Sequence, residues 1–226
     1  MKQFTLKSGY ATFIGIFFAA LVLSGLANAS QIYYNLGNGA AGVKPEDADY
    51  WGANAFTTDS NSYVLTNVTL ALEGVSDASG TFSVSLYSAS GSKPGGSLLT
   101  LGNAIADSSV SSTGYNDYSY DGEDFALTPS TMYWIVVSGT SDSSGDVSWE
   151  GALSAEITPN GEIGRVASSS NGGNTWSSHP LSGDYKPFVM EVDGDPAGGT
   201  VPEPGTALAL MAGLAGLAVL RSKRRT

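Results

Sequence analysis

The residue types that carry most enzymatic chemistry are sparse in this 226-residue chain. Its single histidine, His179, stands directly before Pro180, which biases it toward extended backbone in a loop. A serine nucleophile needs a base that a carboxylate holds in place. Nothing near His179 marks such a partner, and no Gly-x-Ser-x-Gly elbow occurs. Cysteine is absent, which closes thiol nucleophiles, zinc-thiolate sites and disulfide frameworks together. Carboxylates are plentiful, so a paired-acid glycosidase remains chemically open, but abundance does not set two acids at a working separation. The expectation is a non-catalytic protein with no catalytic, cofactor-binding or metal-ligating residues.

If a cation bound at all, the oxygen-rich composition would favour calcium over a transition metal. The densest acidic clusters are Asp121-Gly122-Glu123-Asp124 and Asp193-Gly194-Asp195. Neither matches a loop of alternating oxygen ligands that ends in a bidentate acid, and both read as solvated turn acids. Aromatic rings offer a different chemistry. Tyr115, Tyr118 and Tyr120 lie in a polar stretch with Asn116, Asp117 and Asp121, and Trp176 follows a glycine-rich loop. Rings at the rim of a β domain can stack on the apolar faces of sugars while nearby Asn and Asp accept hydroxyl hydrogen bonds. These four are therefore candidate glycan contacts. The competing reading makes Trp134, Trp149 and also Trp176 core packing or caps over the ends of the domain.

The elements that must position these residues lie between two addressing segments. Residues 30 to 200 hold four cations, Lys44, Lys93, Arg165 and Lys186, against 20 acids, while the whole chain stands at −11. Such a field argues against nucleic acid as a partner. At the N-terminus, Lys2 and Lys7 precede an uncharged stretch from Ala11 to Leu23, and the small residues Ala27 and Ala29 bracket Asn28. This reads as a secretory signal peptide over residues 1–29, cleaved between Ala29 and Ser30. Its partners would be the Sec translocon and signal peptidase. The alternative is an uncleaved anchor helix, although the apolar core is short for a span of about 20 residues.

Near the other end, Gly205 to Leu220 forms a second apolar run, followed at once by Arg221, Lys223, Arg224 and Arg225. Sixteen residues would rise about 24 Å as a helix, slightly short of a bilayer core of about 30 Å. The basic tail would stop transfer and stay cytoplasmic. A short span of small residues suits recognition and removal better than permanent anchoring. Val201-Pro202-Glu203-Pro204 comes just before it. Two prolines flanking a carboxylate hold an extended segment that a protease can read without melting a helix. In that order, within residues 201–226 and behind a signal peptide, the combination resembles the PEP-CTERM sorting signal of Gram-negative bacteria. The resemblance implies handling by an exosortase, a membrane transpeptidase-like partner. It also implies transient residence in the inner membrane and delivery to the cell surface or an exopolysaccharide matrix. The alternative is that the prolines cap a plain membrane helix.

Between the ends, apolar residues recur with period 2 and no helical pattern of comparable length occurs. Phe82, Val84 and Leu86 alternate with hydroxyl residues over Thr81 to Tyr87. Tyr63 to Leu72 puts Val64, Val68, Leu70 and Leu72 on one face, with Asn67 and Thr69 opposite. Met132 to Val137 is apolar on both faces, as expected of a central strand that buries Trp134. Tyr185 to Val192 alternates Phe188, Met190 and Val192 against Val189 and Glu191. Turn signals fall at Ser79-Gly80, Gly91 to Gly96, Ser141 to Gly145 and Asn171 to Asn174. This predicts an all-β, antiparallel β-sandwich of jelly-roll type over residues 54–192. An N-terminal arm over 30–53 and a flexible linker over 193–200 would flank it.

The strand sequences resemble the choice-of-anchor R domain from about Asn54 to Val192. The resemblance rests on Ala55-Phe56-Thr57-Thr58, Tyr63 to Leu70, Leu86-Tyr87-Ser88 and Lys93-Pro94-Gly95-Gly96-Ser97-Leu98. It continues through Leu127 to Val137, Trp149 and Asn171-Gly172-Gly173-Asn174-Thr175-Trp176. It implies an extracellular β-sandwich attached to different anchors in different hosts, with no catalytic residues. Asn171 stands where that pattern commonly has an aspartate, which weighs against a cation role for the loop. Two functional readings follow: a surface or exopolysaccharide-matrix protein without a discrete pocket, and a carbohydrate-binding module using rim aromatics. Ice binding comes third, because no regular Thr-x-Thr array exists.

Overall fold

Alternation of apolar and hydroxyl residues forms the strands, and bulges decide which face each half of a strand turns inward. The structure, a computed structural model, describes residues 30–37, 39, 48–75, 79–140, 147–153, 161–182 and 185–197. The expected signal peptide, the Pro-Glu-Pro motif, the second apolar run and the basic tail lie outside the described residues. The strands are β1 (Ser30–Tyr34), β2 (Trp51–Thr58), β3 (Tyr63–Gly74), β4 (Thr81–Ser90), β5 (Lys93–Thr100) and β6 (Ile105–Ala106). They continue with β7 (Asn116–Leu127), β8 (Met132–Gly139), β9 (Val147–Trp149), β10 (Gly161–Ser169), β11 (Ser177–Pro180) and β12 (Met190–Pro196). A single 3-10 turn at Asp107–Ser109 is the helical element among the described residues.

One sheet runs β1-β12-β3-β7, with β9 also on β3; the other runs β11-β10-β2-β8-β4-β5, with β6 also on β4. All pairings between these strands are antiparallel. The main core lies between the two sheets. Phe56, Phe82, Val84, Leu86, Tyr133, Ile135 and Val137 from the second meet Ile32, Leu65, Val68, Leu70, Leu72, Met190 and Val192 from the first. Strand β8 has paired neighbours on both sides and is apolar on both faces, as its sequence predicts. Its alternate residues Trp134 and Val136 join Ala53, Ala55, Ala167 and Trp176 in a second cluster on the other face of the sheet.

Two buried asparagines tie the start of β12 to the rest of the sandwich. Asn35, just after β1, donates from its side chain to Phe188 O at 3.1 Å and accepts from Met190 N–H at 2.6 Å. Asn54, on β2 of the opposite sheet, accepts from Phe188 N–H at 3.3 Å and turns its amide nitrogen to Met190 Sδ at 3.4 Å. Trp149 adds a hydrogen bond from Nε1 to Val189 O at 2.8 Å and stacks on Phe188 with centroids 4.6 Å apart. The main-chain groups of an irregular segment are thus satisfied inside a dry core, where an unpaired group is costly.

The strand expected over Tyr185 to Val192 begins only at Met190 and runs on to Pro196, because the two asparagines, in place of a ladder, satisfy the backbone before it. Four further sequence expectations change. The proposed arm at 30–53 contains β1, which pairs with β12, and the first residues of β2, which lies inside the second sheet. The proposed linker at 193–200 begins as strand, because β12 runs to Pro196 and pairs with β3. In both places short alternation hides among polar and glycine residues, and the ladder partner is far away in sequence. Third, Val64 is not on the core face. Thr66 is an extra residue of β3 against β12, so Tyr63 and Leu65 face inward before it and Val68, Leu70 and Leu72 after it. Finally, Lys93 to Gly96 belong to β5, and the loop shrinks to Gly91-Ser92. Gly91 has φ of 60°, which suits the first central position of a type II′ hairpin. Pro94 is accommodated because β5 is an edge strand.

Trp134 and Asn54 have no exposed surface. Trp134→Ala is expected to cost about 3 to 5 kcal/mol as a large-to-small core change. Asn54→Ala should cost about 1 to 3 kcal/mol, because it leaves the Phe188 N–H buried without an acceptor. Urea unfolding of the two variants measures both, and a neutral result for either contradicts its role.

Candidate functional site

The loop between β10 and β11 is built from short polar side chains and two glycines, and it is braced internally. The Ser169 hydroxyl, almost fully buried, accepts from Gly173 N–H at 2.9 Å and donates to Asn171 Oδ1 at 3.0 Å. Asn171 Oδ1 also accepts from Thr175 N–H at 2.9 Å, while its amide nitrogen donates to Thr175 Oγ1 at 2.9 Å. Both ends of the Asn171 side chain are therefore engaged in holding the loop. Gly172 and Gly173 have φ of 63° and 77°. A Cβ at Gly173 would collide with the Trp51 ring, so that position has no room for a side chain.

This brace delivers Trp176 into the cluster with Trp134, and its ring lies 6.4 Å from Trp51 at 59°. At 8% exposure Trp176 is chiefly a packing residue. Its small exposed part lines a cleft of about 380 Å³ together with Lys93, Ser168, Ser170, Thr175, Ser177 and Ser178. Ser178 Oγ donates to Ser92 O at 2.5 Å and accepts from Arg165 Nε at 2.9 Å. Strand β11 and the β4-β5 hairpin occupy opposite edges of the sheet order, so this contact joins the two ends of one sheet. The cleft sits where they meet.

Of the four candidate glycan contacts, only Trp176 lines the cleft. The three tyrosines belong to or precede β7 in the other sheet, so they are not brought together with it. Tyr120 faces the main core at 6% exposure, and burial raises its hydroxyl above the ordinary value. Tyr118 packs on the same core and accepts a hydrogen bond from Ser111 N–H at 2.7 Å. Strand alternation explains this, because positions 118 and 120 share the inward face. Tyr115 is half-buried just before the strand. Lys93 and Arg165 were missed by the sequence reading. Their scarcity in an acidic region was the available signal.

The acidic clusters also change meaning. Asp193 is level with Asn67, and Asn67 with Asp121, so both clusters abut one bulge line across β12, β3 and β7. In β7 the bulge comprises Gly122, Glu123 and Asp124, the last two at φ of 50° and 54°. The carboxylate of Asp121 accepts the Glu123 N–H at 2.8 Å. A Cβ on Gly122 would lie 2.5 Å from Leu65 O, which requires glycine there. Among the described residues no three His, Asp or Glu side chains form a group able to hold a metal. His179, on β11, stacks on Tyr185 with centroids 3.8 Å apart, and its Nε2 lies 3.0 Å from Ser177 Oγ.

Asp193 is pushed up to about 6, first by burial and then by Glu191, with Asn67 opposing. Because the folded value exceeds the ordinary 3.8, the folded chain holds the extra proton between those values. This contribution to stability is complete below about pH 4 and is lost as pH rises through about 6. Asp193→Asn should therefore stabilise the protein at pH 7 by roughly 1 kcal/mol after solvent screening, with the gain vanishing below about pH 4. Melting curves of both proteins across pH 3 to 8 test this.

No curated protein matches the chain. Residues 200–225 match the family described as the PEP-CTERM protein-sorting motif. The chain thus carries the C-terminal address of an exported protein sorted by an exosortase, with passage through the membrane before it reaches the cell surface.

Proposed function

We propose that this chain is a non-catalytic surface or exopolysaccharide-matrix protein. Its sandwich is exported behind a signal peptide cleaved at Ala29-Ser30 and released from the membrane near Pro202-Glu203-Pro204. The observation that carries this reading is the sorting motif at residues 200–225. The resemblance of the strand sequences to the choice-of-anchor R domain supports it. A second reading, carbohydrate binding, is favoured by the cleft, whose lining joins an indole to five hydroxyl side chains.

Processing is the test. Lys2 and Lys7 would hold the first terminus inside, and Arg221 to Arg225 would hold the second span, which leaves the Pro-Glu-Pro segment at the outer membrane face. Intact-mass measurement of surface or matrix material from an exosortase-bearing host should find a chain that starts at Ser30 and lacks Leu208 to Thr226. Replacing Arg221, Lys223, Arg224 and Arg225 with glutamine should weaken the stop, so that some chains leave with the tail attached. A wild-type mature protein that retains Leu208 to Thr226 would replace the sorting reading with a plain membrane anchor.

A further inference from the structure

The charge map of the described surface is uneven in a way that composition does not reveal. Three cations fall among the described residues: Lys93, Arg165 and Lys186. Lys186 is occupied elsewhere, donating to Leu153 O at 2.7 Å. The other two converge on one place. Lys93 is exposed and lines the cleft beside Trp176, and Arg165 reaches it through Ser178, the hydroxyl that bridges to Ser92 O. Among the described residues Nε is the guanidinium nitrogen of Arg165 that has a side-chain partner. None of the seven residues lining the cleft is acidic. In a region with 20 acids against four cations, this is a local positive site in a repulsive field.

That combination selects a ligand by chemistry. The Lys93 ammonium in the lining, with the Arg165 guanidinium one hydroxyl behind it, calls for an anion. The hydroxyls of Ser168, Ser170, Thr175 and Ser177 can both donate and accept, as sugar hydroxyls do, while that of Ser178 already donates to Ser92 O. The exposed part of the Trp176 indole offers an apolar ring contact. A volume of about 380 Å³ lies at the small end of ligand sites, enough for a short stretch of saccharide. A densely charged polyanion is disfavoured, because the single ammonium in the lining matches one carboxylate and the net negative charge of the domain opposes the rest.

We propose that this cleft binds a saccharide carrying an isolated acidic residue, such as one hexuronate flanked by neutral sugars. Lys93 pairs with the carboxylate, Arg165 and the Ser92 carbonyl fix Ser178 in the cleft wall, and Trp176 walls the adjoining ring. The proposal rests on the carbohydrate-binding reading and deepens it by naming the charge class of the ligand.

Calorimetric titration of the full-length chain decides the matter. The probes are an aldouronic oligosaccharide bearing one glucuronate on neutral sugars, the same oligosaccharide with its carboxyl reduced to an alcohol, and an aspartate oligomer. The acidic oligosaccharide should bind saturably, and carboxyl reduction should weaken it about tenfold or more, the range of one charge-assisted hydrogen bond. Lys93→Gln should remove that difference without shifting the melting curve, because Lys93 is exposed. Trp176→Phe provides a milder test of the ring contact than truncation of a packed indole. Equal binding of the acidic and reduced forms would overturn the charge assignment and leave sugar binding standing. Equal binding of the aspartate oligomer would reduce the site to ion exchange and overturn the proposal. No binding of either saccharide would remove both the proposal and the reading it rests on.

Discussion

The sandwich depends on how one irregular segment, Phe188 to Met190, is held between two sheets that share no ladder. Asn35 binds it from the end of β1 and Asn54 from β2 across the core, while Val189 N–H donates to Glu150 O at 2.8 Å. Each main-chain group that enters the dry interior there finds a partner, so the last strand can leave the core and run between β1 and β3. Without the two amides, burying Phe188 and Met190 would strand polar backbone beside them, and the apolar gain would be offset. Buried asparagines therefore set where the final strand begins, and through it where β1 docks.

The second organising feature is the bulge line across β12, β3 and β7. It reverses the inward face of β3 at Thr66 and lets both halves of a long strand contribute to one core. Gly122 and Gly194 sit on this line because the backbones come too close for a side chain: a Cβ on Gly194 would lie 2.9 Å from Val64 O. Acids gather around it on the outer face of the sheet. Glu150, raised first by burial and then by Asp117 and Glu73, belongs to the same accumulation of like charge. This like charge lowers stability near neutral pH.

The two sheets therefore present unlike surfaces. One carries the acidic bulge, and the other carries a cluster of alanines and tryptophans closed off by a braced loop. Among the described residues the buried Trp134 Nε1–H has no hydrogen-bond partner. The polar cleft lies on this second sheet, away from the acidic bulge line.

Much of this was legible in the sequence because strand alternation is local. Thr81 to Tyr87 and Met132 to Val137 read directly as strands with their inward faces, and the sorting address needs no folding to be recognised. The faces of Tyr63 to Leu72 did not follow, since one inserted residue inverts every later side chain and only the register of neighbouring strands reveals the insertion. Nor did β1 or the end of β12, whose pairing joins residues about 160 positions apart. The tyrosines of β7 looked polar from their neighbours in sequence, yet alternation against a sheet turned them inward. Lys93, Arg165 and Trp176 lie far apart along the chain. They share a cleft because the β4-β5 hairpin and β11 meet across the ends of one sheet, a closure that depends on the curvature of six paired strands and on no local signal.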